Sequence, residues 1–139
     1  MKVGDTLPVL EKTFTAVDLF AYGAATWDWH RMHYDAELAR SKGFAAPVID
    51  GQMYGALFAR VAMRWAGPRG FVTHMSLRMK SIAFAGDTLR AEGTVTEVDG
   101  DVVVLAQKLT NAGRLCAEAT TRMTGSGLAL MQHLPQHKT

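Results

Sequence analysis

The sequence contains one cysteine, Cys116, among 139 residues. A lone thiol excludes an intrachain disulfide and a cysteine-built metal cluster, so the fold must rest on its apolar core. A chain of this length buries roughly 68–70% of its unfolded surface, which is enough for such a core. Long apolar runs are also missing. No stretch approaches the roughly 18 residues that a spanning helix needs, so no membrane partner is expected. The start, Met1-Lys2-Val3-Gly4-Asp5, has no apolar run behind a positive charge, and no signal peptide is expected. With the single cysteine, this points to a cytoplasmic protein. Charge of one sign is scarce as well: the net charge is +2, with Lys and Arg spread along the chain. Nucleic acid is therefore not an expected partner. Neither a glycine-rich dinucleotide fingerprint nor a phosphate loop is present. There is no internal repeat, and one domain over residues 1–125 is expected, followed by a tail over 126–139.

Hydrophobic spacing predicts the elements that are present. Leu7 to Phe14 reads as a short first segment, and Thr15 can cap a helix over 16–25. Residues 26–34 are crowded with aromatic and ionisable groups and have no period, so they read as a loop. Asp35 can cap a short helix through Arg40 that Gly43 stops. Gln52 to Trp65 reads as a helix apolar on most sides, closed by Gly67-Pro68. Phe71 to Phe84, Thr88 to Val98, Val102 to Thr110 and Leu115 to Thr124 alternate or are β-branched, and Asp99-Gly100 and Asn111-Ala112-Gly113 are hairpin turns. This order implies an α+β domain, an antiparallel meander curled around one long buried helix. The open edge of such a sheet needs cover, and a homodimer would supply it.

The chemistry-bearing residues concentrate in Asp28-Trp29-His30-Arg31-Met32-His33-Tyr34-Asp35. An aspartate and a histidine five residues apart on an irregular loop can converge on one water, and histidine serves as acid or base near neutral pH. The plainer alternative is that Asp28 caps a turn and His33 packs the loop. Arg31 and His30 could bind a carboxylate or phosphate of a ligand, or Arg31 could brace Asp35 or Glu37. Trp27, Trp29 and Tyr34 could line a pocket or simply pack the loop. Asp28, His30 and His33 are metal-capable residue types, but no fourth ligand is evident and no metal is expected. Gly51 and Gln52 begin the apolar helix, where unsatisfied backbone N–H groups could hold a developing oxyanion; Asp50 would cap that helix.

The loop resembles the signature of the MaoC-like (R)-specific enoyl-CoA hydratases, which reads Asp-x-Asn-Pro-x-His-x-Asp and matches at Asp28, His33 and Asp35. Further similarities are Val3-Gly4-Asp5, the lead-in from Phe44 to Gly51, and Phe84-Ala85-Gly86-Asp87-Thr88-Leu89. The resemblance implies a single hot-dog domain and a hydratase or dehydratase of an acyl thioester, with no cofactor because the thioester itself acidifies the α-position. It implies that Asp28 and His33 hold the attacking water, and leaves open which of them takes its proton. The sequence departs from the family in carrying His30-Arg31 for Asn-Pro, Asp50 for the histidine before Gly51, and Ala59 for a helix serine. Two other readings stand beside it: a hot-dog thioesterase, which shares fold and ligand but against which the Asp28–His33 loop argues, and an acyl-thioester-binding subunit of a heteromeric dehydratase, which the loss of the helix serine and of Asn-Pro favours.

Overall fold

The computed structural model describes residues 2–124; the expected tail lies outside them. Five strands form one antiparallel sheet against a long helix, α3 (Gly51–Ala66). The strands are β1 (Leu10–Thr13), β2 (Phe71–Met79), β3 (Thr88–Asp99), β4 (Val102–Asn111) and β5 (Arg114–Thr124). Two helices precede α3: α1 (Ala16–Thr26) and the short α2 (Ala36–Ser41). On α3, Met53, Tyr54, Leu57, Phe58, Val61 and Ala62 are buried at three- and four-residue steps. They meet alternate residues of the sheet, among them Leu89, Val95, Leu105, Leu109 and Met123. Each large side chain buried in this way contributes about 1.5–3 kcal/mol. The interior also holds a polar pair: Thr121 donates to Gln107 Oε1 at 2.7 Å, and Gln107 Nε2 donates to the Phe58 carbonyl at 2.9 Å. No described helix is long and apolar enough to cross a membrane.

Both hairpin turns form where expected. Asn111 faces Arg114 across a two-residue turn in which Ala112 and Gly113 both take positive φ. Asp99 faces Val102 with Gly100 at positive φ. The sheet order corrects the meander. It runs β1-β3-β4-β5-β2, so β2 pairs with β5 and not with its sequence neighbour β3. The strand expected over 71–84 stops at Met79, because the Lys80 and Ser81 amides both turn to the Cys116 carbonyl. The chain then runs beside residues 47–49. Ile49 N–H donates to Ala83 O, Ala85 N–H donates to Pro47 O, and Val48 bridges Phe84. This short pairing fixes the segment that feeds α3. The first strand is also shorter than expected: Thr6 makes only an isolated bridge to Thr94, and Pro8 has no N–H to extend the ladder.

The Gly86-Asp87 turn is structural. Asp87 Oδ2 accepts from Phe84 N–H and from Asn111 Nδ2, both at 2.8 Å, while Gly86 N–H and Asp87 O tie the turn to Phe14. It locks the start of β3 to the chain leading into α1.

Candidate active site

Asp28 is delivered by the end of α1. A capping box between Thr15 and Asp18 starts this helix, and Trp27 ends it in the left-handed region at φ 60°. The Trp27 and Asp28 amides both donate to the Gly23 carbonyl. A Cβ on Gly23 would lie 2.8 Å from the Asp28 carbonyl oxygen, so the absence of a side chain there allows the tight turn. Asp28 Oδ1 accepts from His30 N–H at 3.1 Å, which orients the carboxylate. Phe20, Trp27, Trp29 and Tyr34 pack on one another, with ring centroids 5.6–6.3 Å apart. These aromatics brace the loop and are exposed.

His33 closes a 3₁₀ turn, Arg31–His33, inside the segment expected to be irregular. Its Nδ1 lies 2.7 Å from the Val48 carbonyl oxygen. A carbonyl only accepts, so Nδ1 carries the hydrogen, and in the neutral ring Nε2 presents a lone pair. Val48 N–H in turn donates to Met32 O, so loop and lead-in segment hold each other. Arg31 points away from this chemistry. Its Nε and Nη2 donate to Asp35 Oδ2 at 3.1 and 2.6 Å, and its side chain is 65% exposed. Asp35 also caps α2, and the Leu38 amide, followed by the Arg31 guanidinium, holds its carboxyl below the usual carboxylate range.

At the start of α3, Asp50 caps through Oδ1, which accepts from Gln52 N–H at 2.9 Å. The Gln52 amide is thus engaged and its side chain is exposed. Gly51 N–H has no hydrogen-bond partner among the described residues. A Cβ on Gly51 would meet the Met79 sulfur at 2.2 Å, so this residue also has a packing reason to be glycine.

These segments meet at one point. Single ligating atoms of Asp28, His33 and Asp50 lie within 4.8 Å of one another. A pocket of about 480 Å³ opens beside Asp28 and His33, which line it together with His30, Met32, Phe44, Val48 and Ile82. His30 therefore reaches the pocket and Arg31 does not. Tyr22 of α1 stands close by: burial, and then the Asp50 and Asp28 carboxylates, push its phenol up. Residue spacing brought Asp28 and His33 forward but read Asp50 only as a cap and passed over Tyr22. The usable signal for Asp50 was its acidic side chain immediately before Gly51. A larger hollow, about 1020 Å³, lies against the sheet beside Arg78, Glu92 and Lys108, and no histidine among the described residues lines it.

The MaoC-like domain model matches residues 3–112. The chain belongs to the MaoC-like domain family. It is 30% identical over 89 residues to the mitochondrial 3-hydroxyacyl-[acyl-carrier-protein] dehydratase of Arabidopsis thaliana, covering 64% of this chain and 52% of that protein. It is 29% identical over 93 residues to the (R)-specific enoyl-CoA hydratase of Aeromonas caviae, covering 66% and 69%. The chain spans about half the length of the plant mitochondrial dehydratases it matches. The solved (R)-hydratase from A. caviae superposes with a TM-score of 0.84 at 24% identity, over 89% of this MaoC-like chain and 96% of that one. The ChsH1-ChsH2 complex from Mycobacterium tuberculosis gives 0.83 at 24% identity, over 88% and 97%. The fold is the hot-dog fold that the resemblance implied. It also explains why β2 crosses to β5, since the sheet must close over α3 from both sides.

Proposed function

We propose that this MaoC-like chain adds water reversibly across the 2,3-double bond of an enoyl thioester, giving a 3-hydroxyacyl thioester. The observation that carries the reading is the meeting of Asp28 and His33 at one pocket, with Asp50, the residue before Gly51, within 4.8 Å of them. The thioester oxygen accepts from Gly51 N–H at the positive end of α3. Water sits between Asp28 and His33. With Nδ1–H committed to Val48, the free Nε2 of His33 takes a proton as the water oxygen bonds to Cβ. The π electrons move toward the thioester oxygen, and the pair returns a proton to Cα. Every step uses groups of the chain and the substrate, so neither a cofactor nor a metal is called for. His30 is the side chain placed to meet a polar substrate group, and Arg31 braces the loop through Asp35.

A CoA thioester is proposed over a carrier-protein thioester, the A. caviae relative being named an enoyl-CoA hydratase. The test is conversion of an enoyl-CoA to its 3-hydroxyacyl-CoA by the purified chain, compared with the same acyl group on a carrier protein. Free-thiol release without loss of the double bond would identify a thioesterase instead. The chain is proposed to act in the cytoplasm.

The proposed assembly is a homodimer. Among the described residues the outer edge of β2 is unpaired over nine residues, and Phe71 and Met79 on that strand are 46% and 65% exposed. Light scattering is expected to give twice the chain mass at micromolar concentration; a stable monomer would contradict this. Likeness to the ChsH1-ChsH2 complex favours a second reading, a subunit that pairs with a different chain. A monomer that gains turnover only with such a partner would establish it.

A further inference from the structure

Asp50 is more than a helix cap. It is 7% exposed, and while Oδ1 is used by Gln52 N–H, Oδ2 is a buried oxygen with no hydrogen-bond partner among the described residues. Leaving a buried carboxylate oxygen unmatched is costly unless something supplies a proton to it. The neighbours of this carboxylate are Asp28 and His33, each offering an atom within 4.8 Å of it and of one another. Tyr22 is held on the same side by α1 and feels both carboxylates. Three acceptors thus lie within 4.8 Å of one another, and a water molecule has only two hydrogens to give.

Hydration itself resolves the count. One hydrogen of the attacking water leaves as a proton when its oxygen bonds to Cβ. The other stays on that oxygen and becomes the hydroxyl hydrogen of the product. We propose that Asp50 is a third water-holding residue, whose Oδ2 accepts the hydrogen that stays while His33 accepts the one that leaves. The His33–Asp28 pair then returns the proton to Cα. Atoms balance: water contributes oxygen and hydrogen to Cβ, and a proton to the His33–Asp28 pair that is restored when Cα is protonated. Fixing both hydrogens turns a lone pair of the water onto Cβ, which is the orientation that attack requires. The inference rests on the hydratase reading of the site.

Asp50→Asn tests it. Asparagine caps helices as well as aspartate does, so its oxygen keeps the bond to Gln52 N–H and the start of α3 survives. Its NH₂ then stands where Oδ2 stood and offers hydrogens where an acceptor is needed. The expected result is kcat for crotonyl-CoA hydration lowered by about 10–100-fold, with KM and melting temperature near wild type. In the Asp28→Asn background the same change should cost much less, because both substitutions disable one step. Asp50→Ser, which also caps, should behave like Asp50→Asn and guards against a folding artefact in either. Wild-type kcat in both Asp50 variants, with Asp28→Asn inactive, would overturn the role of Asp50 and leave the hydratase reading standing. Full activity of Asp28→Asn itself would instead remove that reading. Dialysis against EDTA should leave turnover unchanged; loss of activity restored by a divalent cation would make Asp50 a metal ligand and overturn the proposal.

Discussion

His33→Ala and Asp28→Asn are each expected to lower kcat/KM for enoyl-thioester hydration by about 10²–10⁴-fold. Asp28→Asn is nearly isosteric and keeps an oxygen for His30 N–H, so its melting temperature should match wild type. His33→Ala removes the bond to the Val48 carbonyl and should cost about 0.5–1.5 kcal/mol of stability besides. The double variant should be little slower than either single one, because the two side chains serve one water. Steady-state kinetics beside thermal melts separate these effects. Turnover close to wild type in both single variants would leave the loop with a purely structural role.

Gly23→Ala is expected to impair both fold and activity. Inside an exposed helix this change ordinarily stabilises by about 1 kcal/mol, since alanine is the better helix former. Here Gly23 is buried, and the new Cβ would stand 2.8 Å from the Asp28 backbone oxygen. The obstacle is main chain and cannot rotate away. Relieving it must shift the turn that carries Asp28, and the overpacking should cost about 1–3 kcal/mol, outweighing the propensity gain. If Asp28 acts as proposed, displacing its carboxylate by a fraction of an ångström should lower kcat at least about ten-fold. Denaturant unfolding and kcat are the measurements. A more stable, fully active Gly23→Ala protein would show that the turn tolerates a side chain.

The hairpins at Gly100 and at Ala112-Gly113, the caps at Thr15, Asp35 and Asp50, and the buried face of α3 were legible in the sequence, because each depends on residues within a few positions of one another. The partner of β2 was not. Its side-chain pattern suits any antiparallel neighbour, and only closure of the sheet over α3 selects β5 over β3. The same limit governs the site. The Asp28–His33 spacing marked the loop, whereas the Val48 carbonyl that sets the His33 tautomer lies 15 residues away. Asp50 reaches the pair only because residues 47–49 run beside 83–85. Arg31 shows the opposite outcome, a charged side chain taken up by Asp35 four residues on.

Crotonyl-CoA incubated with the purified chain, with enoyl absorbance and free thiol followed together, tests the hydratase assignment most directly. The account predicts that absorbance falls to a plateau as 3-hydroxybutyryl-CoA forms, that no thiol appears, and that the same plateau is reached from 3-hydroxybutyryl-CoA. Thiol release with the double bond intact, or no conversion from either side, would contradict it.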